Sequence, residues 1–354
     1  MELNKYTVAL VSLAALSSPL SFAENNNQTN KLLDKVTHSD QIASISEPPT
    51  LALSSQEKPK EDVGYFSKGT FLPILGDAAR AKGYTLPEPF GIGYNYMDIH
   101  QNIKVDTIEL SGLSVSLPWI GNIPLDPDSF HIAVGKTRER SKTSTARLDT
   151  WLFPFMNIYG IVGHTKGSSV SKVTVDKVPF LGSNVDGLGL KDLDFVLKFK
   201  GTTYGGGTTF VGGYNDAFAS LDMNYTRTNF NILDGNISAF TLTPRVGYRF
   251  TVPGASKYYI PEGHLNLWVG TMYQDIQQEF KGNISDLNFP MALQSMVNIA
   301  NKKGEGRFRV KQHLKSPWNM LVGAQYEITK NFNITTEVGF EKRNSFMLAG
   351  EVRF

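Results

Sequence analysis

The chain has 354 residues, a formal net charge of +2 at pH 7 and no cysteine. The near-zero charge argues against a nucleic-acid binder, which is expected to show a concentrated basic patch. The lack of cysteine excludes disulfides, thiolate metal sites and a lipidated N-terminus. Beyond the first 23 residues no apolar run approaches the ~20 residues of a membrane helix. A membrane location would therefore require a closed β-barrel, because an open strand edge in lipid leaves backbone groups unpaired.

The first residues have the pattern of a secretory signal peptide. Lys5 supplies the positive start, Tyr6 to Leu16 the apolar core, and Ser21-Phe22-Ala23 a small-x-small cleavage site. Residues 1–23 are therefore predicted to direct Sec-type export.

Two segments of different composition follow the signal peptide. Residues 24–64 are dominated by Gln, Asn, Ser, Lys and Glu, and Pro48-Pro49 interrupts them. Such a segment buries too little apolar surface to order itself, so it is predicted to be a disordered periplasmic lead. Residues 65–89 are more apolar and contain a short helical stretch from Asp77 to Lys82.

From Phe90 onward, apolar and polar residues alternate with the two-residue period of a β-strand. Residues 130–137 extend one of these strands outward. Strands are predicted to begin near Phe90 and to cover Thr145–Phe153, Met156–His164, Thr202–Tyr214, Ala217–Thr228, Ile237–Phe250 and Leu265–Gln274.

Three further strands complete the chain, over 318–328, 332–341 and 345–354. Each has one apolar and one polar face and is about ten residues long, roughly what a tilted strand needs to cross a bilayer. Aromatic residues sit at the ends of the apolar faces, where a membrane barrel places its interfacial girdles. Glu and Arg occur in the middle of the polar faces, which suits a wet lumen. The three strands therefore favour a membrane barrel over a soluble sandwich.

A signal peptide together with a last strand that ends on Phe354 resembles the Gram-negative outer-membrane β-barrel class, in which a C-terminal Phe is the assembly signal. The resemblance implies an all-β fold, a transmembrane antiparallel up-and-down barrel over residues 90–354, in the cell outer membrane. It also implies outer-membrane lipid, lipopolysaccharide and the barrel-assembly machinery as partners. It extends to no specific family, and it leaves the oligomeric state open.

The number of strands is predicted to be about ten. Twelve is the alternative if a segment such as Ile103–Val115 or Leu193–Phe199 is an independent hairpin. Both termini inside require an even number, which ten and twelve satisfy.

Connector lengths predict the orientation. Short turns follow Phe153, Tyr214 and Ile328, and short turns are expected on the periplasmic side. Residues 65–89 would then be either a periplasmic lid over the lower mouth or a plug folded into the lumen. The long connections predicted to face outward run through 102–128, 166–197 and 275–315.

The polar strand faces predict a charged lumen. Buried charges need partners, so these side chains are expected to form a paired network across a narrow barrel. The network either fills and rigidifies the barrel or lines a pore of mixed charge with weak cation preference. The predicted lumen-lining charges are Arg147, Asp149, Asp222, Arg245, Arg249, Glu327, Glu337, Glu341, Glu351 and Arg353.

Histidines raise the possibility of an outer-membrane hydrolase. His100, His131, His164 and His313 fall near the outer ends of strands or in outer loops. The sequence shows neither a paired-Asp motif nor an Asp–His pair at matched strand ends, so no enzyme activity is predicted. No His, Asp or Glu cluster has metal-ligand spacing, and neither a metal nor a cofactor is predicted.

A possible amphipathic helix in residues 285–303 is followed by a basic cluster that includes Arg307 and Lys311. This cluster is expected near lipopolysaccharide phosphates, or in a receptor loop. The leading functional hypothesis is a porin-like or small-solute transport barrel. The alternative is a structural or surface-interaction barrel with a closed lumen, and an outer-membrane hydrolase is the third hypothesis.

Overall fold

A computed structural model of the chain describes residues 71–82, 84–126, 131–177, 191–231, 233–254, 263–287, 289 and 291–354. The predicted signal peptide and the predicted periplasmic lead lie outside the described residues, as does the start of the predicted lid or plug. The described part is mostly strand.

The strands are named in chain order. They are β1 (Phe90–Ser111), β2 (Ser114–Leu117), β3 (Gly121–Pro124), β4 (His131–Phe153), β5 (Met156–Lys177), β6 (Leu193–Tyr214), β7 (Ala217–Phe230), β8 (Asp234–Val252), β9 (Gly263–Asn283), β10 (Arg307–Leu314), β11 (Trp318–Thr329), β12 (Phe332–Phe340) and β13 (Asn344–Arg353). The helices are α1 (Gly76–Ala81), α2 (Met291–Ala300) and a short 3-10 helix (Ile284–Asp286).

Ten strands close into one antiparallel ring. β1 pairs with β4 on one side and with β13 on the other, and the ring runs on through β5, β6, β7, β8, β9, β11 and β12. The predicted antiparallel barrel of about ten strands is confirmed. The two segments whose folding as hairpins would have given twelve are the upper parts of β1 and β6, with a short β2–β3 hairpin following β1.

The strands divide into a lower part, nearest Phe90 and Phe354, and an upper extension. β1, β5 and β6 have 22 residues each and β4 has 23, whereas β12 has 9 and β13 has 10. Above the shorter strands, β10 fills the gap by pairing with the upper parts of β1 and β9. The prediction of long loops over 102–128, 166–197 and 275–315 is therefore wrong in large part, because much of each segment is strand.

The direction in which the apolar residues point explains why the sequence predicts loops in the upper halves of the strands. In lower β6, Tyr204 points outward and is 45% exposed while Thr203 is buried. In upper β6, Phe199 is buried and Lys200 is exposed. The period of two continues, but the apolar face changes from outside to inside, as expected where the surroundings change from lipid to water.

An apolar belt surrounds the outside of the lower part. Its side chains alternate with buried polar ones, so the apolar face of each strand points away from the lumen. Aromatic residues mark both edges of the belt, for example Phe90 and Phe354 at the lower edge. The exposed apolar members include Ile92, Tyr94, Leu148, Val162, Tyr204, Tyr225, Phe240, Val246, Phe250, Val269, Trp318, Val322, Val338, Phe346 and Val352.

The upper extension has an apolar core instead. Phe199, Phe230 and Phe280 pack ring against ring, with the Phe230 and Phe280 rings stacked at 4.9 Å between centroids. Ile284 of the 3-10 helix and Ala300 of α2 belong to the same buried cluster, so these helices cover the top of the extension. The extension is thus closed by ordinary hydrophobic packing.

The segment before β1 reaches the lower rim. The Ile74 N–H donates to the Leu152 carbonyl at 2.9 Å, and Trp151 N–H donates to the Pro89 carbonyl. The short helix predicted near Asp77 is present as α1. Whether residues 65–89 act as a lid or a plug stays a prediction. No helix in the described ranges has the length and apolar character needed to span a membrane.

Candidate functional site

The lower part of the barrel encloses a chamber with a volume of about 310 Å³. Most of its lining residues are polar because the inward positions of the lower strands carry hydroxyl, amide and charged side chains, and apolar residues such as Ile161, Met272 and Met347 lie among them. Threonine contributes most often, through Thr143, Thr145, Thr165, Thr203, Thr209, Thr226, Thr228, Thr241, Thr243 and Thr335.

Four of these threonines form a chain of hydroxyls across β4, β5, β6 and β7. Thr143 and Thr165 are 2.9 Å apart between their Oγ1 atoms, Thr165 and Thr203 are 2.6 Å apart, and Thr203 and Thr228 are 2.7 Å apart. A hydroxyl can both donate and accept a hydrogen bond, so donor and acceptor roles along this row of hydroxyls can be exchanged, and one of the hydroxyls can bond to a solute instead. This face of the chamber offers neutral hydrogen-bonding groups.

A buried ion pair lines the opposite side of the chamber. The Arg245 Nε donates to Glu337 Oε2 at 2.7 Å, and the Trp268 indole N–H donates to the same oxygen at 2.8 Å. A second bond joins Arg245 Nη2 to Glu337 Oε1 at 3.1 Å. The guanidinium and carboxylate therefore meet through two parallel bonds, the geometry that makes such pairs strong.

Nearer the lower end lie two more ion pairs that do not line the chamber. The Arg249 Nη2 donates to Glu327 Oε2 at 3.0 Å. The Arg353 Nη1 donates to Asp149 Oδ1 at 3.0 Å, and Arg353 also pairs with Glu351, which does line the chamber. The two ion pairs fill the lumen between the chamber and the lower mouth.

Apolar side chains complete the filling of the lower end. Trp151, Val211, Phe218 and Trp268 form one buried cluster. The side chain of Trp151 also faces Arg353, whose guanidinium carbon lies 5.7 Å from the centre of the indole ring. Together with the ion pairs, this cluster closes the lower lumen.

A layer of amides around one carboxylate closes the chamber above. Glu139, in the extension above the apolar belt, is buried and carries no ion pair within the described residues. The Gln101 Nε2 donates to one of its oxygens at 2.9 Å and the Gln278 Nε2 to the other at 2.7 Å. Gln312 in turn donates to Gln278. Burial raises the pKa of Glu139, and the two amide donors counteract this only in part.

The raised pKa of Glu139 predicts a pH-dependent stability. The folded state binds this proton more tightly than the unfolded state, so its stabilising effect is complete below the ordinary glutamate value of 4.5 and is lost as pH rises through the folded pKa. The unfolding temperature of the wild type should therefore fall more between about pH 4 and about pH 8 than that of Glu139→Gln. Glu109→Gln, on the exposed surface of β1, is the matched control. Equal pH profiles for wild type and Glu139→Gln would contradict the prediction.

The structure places nine of the ten predicted lumen charges inside the barrel and one outside. Arg147 lies over the Tyr159 ring, 3.9 Å from its centre, and Asp222 accepts the Tyr159 hydroxyl at 2.9 Å. The prediction is wrong for Glu341, because β12 ends at Phe340. Glu341 lies in the following turn with a φ of 88°, where it is half exposed and pairs with Lys342. The other seven are Asp149, Arg245, Arg249, Glu327, Glu337, Glu351 and Arg353.

Several lining groups were not predicted. Gln278 lies in a segment predicted to be a loop, and Glu139 lies between Thr145–Phe153 and the stretch 130–137 predicted to extend that strand, so the alternation marked neither as inward. Trp268 occupies an inward position in a predicted strand. A large aromatic residue where the alternation places polar residues is the feature of the sequence that marks it as a lumen residue. Arg343 is buried in the turn after β12, where its backbone carbonyl accepts a bond from Asn319.

One Asp–His pair lies at matched strand ends, contrary to the expectation that the chain has none: His131 begins β4 and Asp176 lies at the end of β5. Two other Asp–His contacts, one between β1 and β10 and one within β1, are not at matched strand ends. His313 Nδ1 lies 2.8 Å from Asp106, His131 Nδ1 lies 3.2 Å from Asp176, and His100 pairs with Asp98 at 3.4 Å. Each side chain in the first two pairs is at least 40% exposed. None of the six residues lines the chamber, so the lumen offers these pairs no enclosed substrate site. No group of His, Asp and Glu suited to a metal occurs among the described residues.

A closed ring of ten antiparallel strands, apolar outside and polar inside, defines a transmembrane β-barrel. The described part of the chain is such a barrel, the fold that the resemblance of its last strand to the Gram-negative outer-membrane class implies. No protein-family model and no curated protein matches its sequence.

Solved structures with a similar architecture are outer-membrane proteins. The outer membrane protein OprG from Pseudomonas aeruginosa is 11% identical, with 76% of this chain and 97% of that chain covered and a TM-score of 0.33. The transport unit of the autotransporter AIDA-I from Escherichia coli is 11% identical over 75% of this chain and 90% of that chain, at a TM-score of 0.33. The CymD monoaromatic hydrocarbon channel is 12% identical, with 82% of this chain and 94% of that chain covered and a TM-score of 0.27. Such low scores carry nothing about what this barrel does, and the class rests on the ring and its apolar belt.

Proposed function

We propose that this protein is a gated barrel that passes small polar solutes across the outer membrane. The observation that carries the proposal is the polar chamber of about 310 Å³ between two closed layers. This volume is at the lower end of the range of pockets that hold small molecules, about 300–1,000 Å³. A barrel whose lumen served only to stabilise it would be expected to fill this space with side chains.

The chamber lining suggests the kind of solute. Its main charges already have partners: Arg245 pairs with Glu337, Arg147 pairs with Asp149, and Asp222 accepts the Tyr159 hydroxyl. A solute would therefore meet neutral hydrogen-bonding groups, including the hydroxyls from Thr143 to Thr228, set among apolar side chains such as Ile161 and Met347. Small neutral or zwitterionic molecules with several hydrogen-bonding groups fit this lining better than strongly charged ions.

The closed layers predict weak ion conduction. The ion pairs and tryptophans below the chamber and the Glu139 layer above it leave little room for a continuous water column. We expect small, infrequent current steps from full-length protein in planar bilayers, together with measurable solute entry into proteoliposomes. A lid or plug formed by residues 65–89 would add to the lower closure.

Filling the chamber should abolish solute entry. Ala349 is an inward, chamber-lining residue of β13, whereas Ala219 is exposed on the outer face of β7. Ala349→Phe is expected to lower the uptake of small sugars and amino acids by about tenfold or more, because the side chains that line a pore set what passes. Ala219→Phe adds the same bulk to the lipid side and should leave uptake unchanged. No uptake by wild type, or equal uptake by both variants, would refute solute passage through the chamber.

One observation favours the second candidate, a surface-interaction barrel. The turn of the β2–β3 hairpin presents Trp119 and Ile120 fully or largely exposed at the top of the extension. Exposed large apolar side chains on a projecting hairpin are typical of contact sites. If proteoliposomes take up no solute, this hairpin becomes the functional site to test.

A further inference from the structure

The outer surface of the barrel carries a row of lysines in direct cross-strand register. Lys142 of β4 is paired with Lys166 of β5, and Lys166 is paired with Lys200 of β6. Two further cations, Arg140 and Lys198, flank the row one outward position higher, both opposite Ser168. We call these five residues the basic row.

The basic row is unfavourable for the sheet on its own. Residues directly opposite each other on one face of a sheet are close neighbours, and like charges in such positions destabilise it. Asp98 pairs with Arg140 at 3.0 Å and with Lys142 at 3.6 Å. Within the described ranges, Lys166, Lys198 and Lys200 form no ion pair with any carboxylate.

Other exposed cations of the extension are matched by acids in several cases. Lys172 pairs with Asp194 at 2.7 Å, and both Lys281 and Arg309 pair with Glu279, at 2.8 and 2.6 Å. On the β4–β6 face, by contrast, three lysines without an ion pair lie close together, because Lys166 and Lys200 are in direct register and Lys198 is their neighbour. An anion from outside the chain would balance them.

The height of the basic row identifies the anion. Further down the same strands, below the outward row of Ser144, His164 and Thr202, are the exposed apolar side chains Leu148, Val162 and Tyr204 of the membrane belt. The row therefore lies at the upper headgroup level, on the side away from the start of β1 and from Phe354, which corresponds to the outer leaflet. Lysines at this level meet lipid phosphates, and clusters of such residues bind anionic headgroups.

We propose that the β4–β6 face binds the phosphate groups of outer-leaflet lipopolysaccharide through the basic row. Neighbouring strands lie about 4.8 Å apart, so the three registered lysines span about 10 Å. That width allows a phosphate oxygen to reach two ammonium groups at once. The acyl chains of the same lipid would lie along Leu148, Val162 and Tyr204 further down. The proposal does not depend on solute transport.

The test compares two triple variants with the same change of charge. Lys166→Gln/Lys198→Gln/Lys200→Gln removes the unpaired cations, and Lys172→Gln/Lys281→Gln/Lys311→Gln removes three others from the same extension. Binding of purified lipopolysaccharide is measured on full-length protein in phosphatidylcholine nanodiscs. The first variant is expected to bind about tenfold or more weakly than wild type, because each basic residue near an anionic headgroup adds to affinity. The second is expected to bind like wild type.

Two further arms separate the source of the phosphate and control for folding. Dephosphorylated lipopolysaccharide should bind wild type and the first variant equally weakly, and inorganic phosphate should not displace the intact lipid at equal concentration. Without lipopolysaccharide the first variant should unfold at the same or a higher temperature than wild type, because like-charge repulsion is removed. Equal binding of intact lipopolysaccharide by wild type and the first variant would overturn the proposal. So would equal loss in both variants, or displacement of the lipid by inorganic phosphate.

Discussion

Replacing Glu337 by Ala is expected to produce the largest loss of stability of any single change to a lumen charge. The carboxylate accepts two bonds from Arg245 and one from Trp268, and its side chain is only 3% exposed. Without it, a buried guanidinium and a buried indole N–H lose their acceptor together. Breaking a buried pair by removing one partner costs about 3–5 kcal/mol, because the remaining charge stays buried without compensation.

The measurement is the free energy of unfolding in urea, with the barrel refolded in phosphatidylcholine vesicles and followed by tryptophan fluorescence. Replacing both partners, as in Arg245→Met/Glu337→Leu, should recover most of the loss, because no charge is then left alone. Glu341→Ala is the matched control, since this glutamate lies in an exposed turn and should change stability by less than about 0.5 kcal/mol. A loss for Glu337→Ala no larger than that of the control would show that the pair does not hold the lumen closed.

The lower half of the barrel could be predicted from the sequence because lipid imposes a strong pattern. Strands such as β11 and β12 place apolar residues outward at every second position, and few other environments require this over about ten residues. The upper extension could not be predicted by the same rule. In upper β6, Phe195 and Phe199 point inward and Lys198 outward, so the segment resembles a soluble sheet and lacks the outward apolar pattern that predicts a membrane strand.

The same alternation predicts which charged residues face the lumen, but it does not predict which of them pair with each other. Arg245 and Glu337 are 92 residues apart, and Glu139 and Gln278 are 139 apart. They meet only because the ring closes with a particular register between neighbouring strands. Register and strand tilt depend on all ten pairings, so spacing along the chain says nothing about which arginine faces which glutamate.

Local turn geometry explains the one misplaced charge. Glu341 continues the alternation of β12, which is why it was expected inside. Asn319 accepts the backbone N–H groups of Lys342 and Arg343 at 3.2 and 3.0 Å, and so fixes a turn at this point. A side chain that caps a turn from another strand leaves no signal in the sequence of the turn itself.

Replacing Gly323 by Ala is the second change expected to have a large effect. Gly323 of β11 faces the lumen between Trp268 and Glu337 of the neighbouring strands. A Cβ built on this glycine would lie less than 3.0 Å from three atoms of the Trp268 indole ring. Trp268 is 3% exposed and packs with Trp151 in the lower cluster, so the indole cannot move away without disturbing that cluster. Overpacking of this kind costs about 1–3 kcal/mol.

The displaced indole would also lose its bond to Glu337, so Gly323→Ala is expected to weaken the same closure that Glu337→Ala removes. A double-mutant cycle with Trp268→Leu separates the clash from other effects of the alanine. If the clash is the cause, Gly323→Ala should cost much less in the Trp268→Leu background than in wild type, with an interaction free energy of about 1–3 kcal/mol. Gly212→Ala on β6 is the control, because a Cβ there meets nothing within 4 Å. Additive free energies in the cycle would mean that Gly323 is required for the backbone and not for the packing of Trp268, and the lower closure would then rest on the ion pairs alone.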